Sequence, residues 1–273
     1  MPTLTVTERD AAGAMELLAS AAEDPQLLIV LTDEEITALA GRDSLTLTGS
    51  PYLDQEGVDE TAHASAALRS LIARGLVVTA DEGMEEEGEV IIGEATARAV
   101  QIDRPIAGLL MLHSTASAVV HVTRQVSEQL TRLVLHVETD GGVLEEFVSA
   151  DGFHRFSVPT RSAAVERLAR YIDPGAVAGD EGGRSATAPV AALDSGEGEL
   201  GGELADTRTL SVLTAASADE ASQATIFATS GAVYAMDTPE EGEAEATVNG
   251  LSAAELRTML AEVLDRSSRA PSA

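Results

Sequence analysis

The 273-residue chain has no cysteine, no tryptophan and no lysine. Without cysteine there are no disulfides, no thiolate metal ligands and no thiol nucleophile, which fits a reducing compartment. Without tryptophan, and with aromatics at 3%, the core falls to Leu, Ile, Val and Ala, which pack well but supply few large anchors. All 17 basic residues are arginine, set against 46 acidic ones, for a formal net charge of −29. Such a surface repels phosphate backbones and anionic lipid, so neither nucleic acid nor membrane is expected as a partner. It reads either as a solvated acidic coat or as a face for a basic partner. Long apolar runs are also missing. Leu109–Leu112 is far too short to span a bilayer. Residues 1–10 carry neither the basic nor the apolar region of a signal peptide, and a cytoplasmic location is expected.

What remains is a hydrophobic fraction of 44%, enough for a packed core rather than a disordered chain. The pattern along it is mixed. Helices are predicted over 8–22 and 59–74, the second with Ala62, Ala66, Leu71 and Ile72 inward and Gly75 as its left-handed stop. Thr32 with Glu35 forms a capping box for a short helix between them. Residues 46–52 alternate and turn at Ser50-Pro51, and Leu76–Thr79 and Val90–Ile92 read as a hairpin around the acidic turn 81–89. A helix over 93–102 is expected to stop at Asp103-Arg104-Pro105. Strands follow at 108–113, 118–126, 133–138, 143–148 and 153–158, then a helix over 160–172 with Val165, Leu168, Ala169 and Ile172 on one stripe.

Residues 173–207 are rich in Gly, Ala, Asp and Ser and predict a linker. Beyond it, strands at 209–214, 224–229, 232–236 and 245–248 and a helix from Ser252 to about Leu264 repeat the earlier order. Ala118–Val126 falls on Thr209–Ser217, the turn at Asp140 on that at Ser230, and Ser162-Ala-Ala on Ser252-Ala-Ala. The expected fold is therefore α+β: duplicated antiparallel meander-plus-helix units forming a central sheet flanked by helices, about a pseudo-twofold axis. The expected divisions are 1–172, a linker at 173–207, a second unit at 208–266 and a tail at 267–273.

No assembled catalytic, cofactor or metal site is legible. The string Gly196-Glu-Gly-Glu-Leu-Gly201 matches GxGxxG, but it lacks the preceding strand and following helix, and its glutamates oppose a pyrophosphate. No GxSxG elbow is present, and Glu145-Glu146 reads as a pair of solvated strand charges. Four of the five histidines lie between 113 and 154. A turn at 127–130 sets His121 opposite His136, with Glu138 near. That is an incomplete zinc set, and no stoichiometric zinc is expected from it. Residues 58–92 have the outline of a winged helix, yet the wing is DEGMEEEGE where phosphate contacts need Arg or Lys.

Read together, LTDEEITALA (31–40), LRSLIARGLVV (68–78), DRP (103–105), TRLVLHVETDGGV (131–143) and VPTRSAAVERLARYI (158–172) resemble the EspG family of type VII secretion-associated proteins of actinobacteria. The likeness covers roughly residues 30–172, with a fainter copy to 264. It implies a central sheet with pseudo-twofold halves, and a cytosolic, non-enzymatic, chaperone-like adaptor that binds helical secretion substrates of the PE–PPE type. Where that family carries a helical insert in its second half, this chain has an acidic segment. A winged-helix transcription-associated protein and a small hydrolase are the alternatives, and a homodimer is the alternative assembly.

Overall fold

The computed structural model describes residues 7–79, 100–126, 129–189, 200–218, 220–237 and 245–268. Its frame is one ten-stranded antiparallel sheet. The first strand, β1 (Ile29–Thr32), runs straight into α2 (Asp33–Ala40), and α1 (Glu8–Ala19) precedes both. Thr32 caps α2 as expected: its hydroxyl accepts from the Glu35 amide, and the Glu35 carboxylate accepts from the Thr32 amide. After α3 (Glu60–Ala73), β2 (Val77–Thr79) pairs with β3 (Val100–Ile102) as a separate two-stranded ribbon. Then come α4 (Arg104–Thr115), β4 (Ala118–Val126), β5 (Gln129–Val137), β6 (Val143–Val148), β7 (Phe153–Ser157) and α5 (Arg161–Ile172). The second half holds β8 (Ala186–Pro189), a single turn α6 (Gly201–Leu204), β9 (Thr209–Ser217), β10 (Ala221–Ala228), β11 (Val233–Asp237), β12 (Glu245–Leu251) and α7 (Ala253–Ser267).

Strand order is β1-β7-β6-β5-β4-β9-β10-β11-β12-β8. Two meanders therefore run outward from a central β4–β9 pair, each followed in sequence by a helix. The α+β class is as expected. Helices α5 and α7 lie side by side on one face, over Val120, Val122, Leu133, Leu135, Leu213, Ile226 and Val233. On the opposite face, α1 to α4 enclose Leu31, Ile36, Leu71, Ile106, Leu109, Leu144 and Phe156. A smaller cluster on that same face joins Leu200 and Leu204 of the α6 turn to Tyr234 and Val248.

Several expectations are corrected. Asp103-Arg104-Pro105 starts a helix rather than stopping one: 100–102 is strand, and 108–113 lies inside α4. Proline has no N–H to give and a fixed φ, so the first helical turn tolerates it as readily as a terminus does. The residues after it, Ile106, Leu109, Leu110 and His113, recur at helical spacing and are all buried. Residues 42–45 form a 3-10 turn, with further turns and no strand through 46–52. On α3 the inward positions are Ala67 and Leu71, while Ala62, Ala66 and Ile72 are exposed. Part of the 173–207 stretch is built in: β8 pairs with β12, and Leu200 and Leu204 are buried. The expected turn at 81–89 and return strand at 90–92 lie outside the described residues; the described partner of β2 is β3.

Candidate functional site

The β4–β5 hairpin is tighter than the sequence suggested. Val126 pairs with Gln129, which puts His121 beside Val134 and His136 beside Val119. The two histidines thus share a face, as expected, but are not opposite each other, because a slip of two residues preserves the face and changes the neighbour. His136 meets a different set of groups.

That set is drawn from four elements. Asp33 opens α2, His113 sits in the last turn of α4, Glu146 is central in β6 and His154 lies on β7. Register brings them together: Val148 pairs with His154, Glu146 with Phe156 and Val134, and Leu31 with His154. Strand alternation then turns Glu146 inward on this face and Glu145 onto the other. The two glutamates are not solvated strand charges. Both are buried, at 2% and 0% exposure. On its own face Glu145 takes two arginine N–H groups of Arg167, at 2.7 and 2.5 Å, and the hydroxyl of Ser157 at 3.0 Å.

Around Glu146 the cluster is closed. Its Oε1 lies 2.5 Å from His154 Nδ1, and its Oε2 lies 2.7 Å from His136 Nε2 and 3.3 Å from His113 Nε2. The last contact is off the line of a hydrogen bond, so His113 Nε2 is a buried nitrogen without a hydrogen-bond partner. The His113 and His136 rings stand 4.5 Å apart. The far nitrogen of His154 reaches Asp33 Oδ1 at 2.7 Å, while Asp33 Oδ2 accepts the amides of Tyr52 and Leu53 at 2.8 and 3.1 Å. Gly152 leaves room for this turn, since a Cβ there would sit 2.7 Å from the Tyr52 Cβ and 3.0 Å from the Asp33 carboxyl carbon.

Charges follow from these contacts. Burial alone would push the Glu146 carboxyl up, but the His113 ring and the hydrogen bonds from His136 and His154 hold it well below the carboxylate range. Burial also opposes a charged His154, yet its bonds to Asp33 and Glu146 outweigh this and push it up to about 9. His136 is moved the other way, first by desolvation and then by neighbouring His113. The cluster is therefore a carboxylate held by an imidazolium, with a neutral His136 beside it. Both nitrogens of His154 face carboxylates, so the Asp33–His154 pair does not present a base to a hydroxyl nucleophile as a hydrolytic triad requires.

Glu138, expected near a His121–His136 pair, stands apart from the cluster. Burial, and then the charge of Asp140, push it up to about 7. His121 is lowered by burial and by Arg132. Neither signal marks a site in sequence. The signal that could have located the cluster is the buried run of β6, where two adjacent acids sit in a strand otherwise made of Val, Leu and Phe.

A second feature is a band of sheet. On the face that carries Glu146, side chains of β4, β9 and β10 come up between the α1–α4 layer and the α6 cluster: His121, Thr123, Leu210, Val212, Thr214 and Thr225. All are half-buried. The helices that pack on β9, α5 and α7, lie on the other face. By contrast, a pocket lined by Ala215, Ser217, Glu220, Ser222, Val263 and Arg266 has a volume of ≈ 30 Å³, room for about one water. Among the described residues no helix is long and apolar enough to cross a membrane. No protein-family model matches this chain, and no curated protein matches it.

Proposed function

We propose that this protein is a non-enzymatic, chaperone-like adaptor that binds a helical protein partner on the band of sheet formed by β4, β9 and β10. The observation that carries the reading is the band itself. It places apolar Leu210 and Val212 among Thr123, Thr214 and Thr225 on the central β4–β9 pair and the neighbouring β10, with no helix of the described residues seated there. Such a surface fits a broad protein contact better than a small ligand, which needs a concave pocket. The resemblance to the EspG family supplies the partner class, helical secretion substrates of the PE–PPE type, and with it a cytoplasmic setting. The two outward-running meanders, read as a duplicated pseudo-twofold unit, suit that family's architecture. The net charge of −29 would speed encounter with a basic partner and make the association weaken with salt.

The test is a calorimetric titration of the chain with a PE–PPE-type helical pair from the same genome. One pair bound per chain, more weakly as salt is raised, is the expected result. No heat and no complex at low salt, with both components folded, would refute the reading. A second reading has its own observation. Strand β1 is a sheet edge, and Leu28 and Phe153 beside it are 38% and 39% exposed; edge pairing of two copies through β1 would give a homodimer.

A further inference from the structure

We infer that His113, His136 and Glu146 form a buried binding site for one divalent transition-metal cation of the zinc type, which pins helix α4 to strands β5 and β6. Two imidazoles and one carboxylate are a donor set of intermediate softness that suits Zn²⁺ and, in vitro, Co²⁺. The three ligand atoms lie within 4.8 Å of one another, and all three residues are buried. Three ligands held about 2.0–2.1 Å from a tetrahedral ion sit roughly 3.4 Å apart. The His113–Glu146 distance of 3.3 Å already meets that spacing. The His136–Glu146 distance of 2.7 Å would open by about 0.7 Å.

An independent observation points the same way. His113 has a side chain only 3% exposed, and its Nε2 is aimed at Glu146 without making a hydrogen bond. A buried polar nitrogen left so costs stability, and an ion between the two groups would satisfy it. On the Glu146 side the outer groups are those a metal site needs, whereas Nδ1 of His136 is buried without a hydrogen-bond partner. The other Glu146 oxygen is fixed by His154, and His154 is fixed in turn by Asp33, which α2 and two backbone amides hold in place. The role is structural. The ligands come from the last turn of α4 and from two sheet strands, so the ion would clamp the helical layer onto the sheet. This inference does not depend on the adaptor reading.

The experiment uses the full chain, stripped with a chelator and titrated with Co²⁺ and then Zn²⁺. One cobalt per chain, with visible absorption of the intensity given by tetrahedral coordination, is the expected result, and zinc should displace it and raise the melting temperature. His113→Ala should lose the absorption and the melting shift, weakening binding by at least ~100-fold, the upper end of what loss of even an outer partner costs. His121→Ala, on the same face but outside the cluster, should retain both. A folded wild-type chain that takes up no cobalt, or binding that survives His113→Ala or is lost with His121→Ala, would overturn the inference. The wild-type titration decides the matter even if the His113 variant does not fold.

Discussion

Asp33 carries more of the structure than its place in a capping-box helix suggests. It joins the 52–53 turn to His154, which lies 121 positions away in the chain. Asp33→Ala would leave two amides without their acceptor and the His154 imidazolium with Glu146 alone, so we expect a loss of about 3–5 kcal/mol, as for a broken buried ion pair. Asp33→Asn keeps an oxygen for the amides and should lose less. Denaturant midpoints of the two variants check this, and equal losses would show that the charge, not the amide bonds, is what matters. The residue scale is also where sequence was least informative. Thr32, Glu35 and the Ser252 cap are legible because their partners lie within three residues. Glu146 is not, because its partners come from α4, β5 and β7, and only the register assembles them.

Among the elements, the α1–α4 crossing is set by two glycines. A Cβ on Gly108 would stand 2.3 Å from the carbonyl carbon of Gly13, and one on Gly13 would stand 2.5 Å from the Arg104 oxygen. Both contacts are with backbone and cannot yield by a side-chain rotation. Gly108→Ala should therefore destabilise by about 1–3 kcal/mol despite alanine's better helix propensity. Gly202→Ala, which meets nothing within 4 Å, should not. Thermal melts of the two compare the effects directly.

Helix α7 offers a test by pH. The Ser252 amide and hydroxyl hold the Glu255 carboxyl below its ordinary value of 4.5. A lowered carboxyl contributes stability that is full above that value and is lost as the pH falls through the folded value. Ser252→Ala should cost about 1 kcal/mol near neutrality and should flatten the loss of stability below pH 4.5, measured by denaturation along a pH series. An unchanged acid limb would place the acid sensitivity elsewhere. At this scale the sequence was informative where strands alternate and helices are capped, as in β4 and α5. It misled at Asp103-Arg104-Pro105, where the same three residues can stop a helix or begin one, and only the packing of Ile106 and Leu109 against α1 and the sheet decides.

At the scale of the whole molecule, the described residues form a wide sheet, covered by helices on one face and by two separate layers on the other. The β4–β9 pair between those layers is the feature on which the functional reading turns. No periodicity could reveal it, because each strand in the pair shows an ordinary alternation, and the opening exists only once β4 and β9 meet. The direct measurement is methyl-resolved NMR of the chain with and without a PE–PPE-type helical pair. Leu210 and Val212 resonances should shift or broaden on binding, those of exposed Leu47 should not, and Val212→Arg should abolish the response while the fold is kept. Perturbations confined to Leu28 and the β1 edge, or a complex that forms equally well with Val212→Arg, would contradict the account.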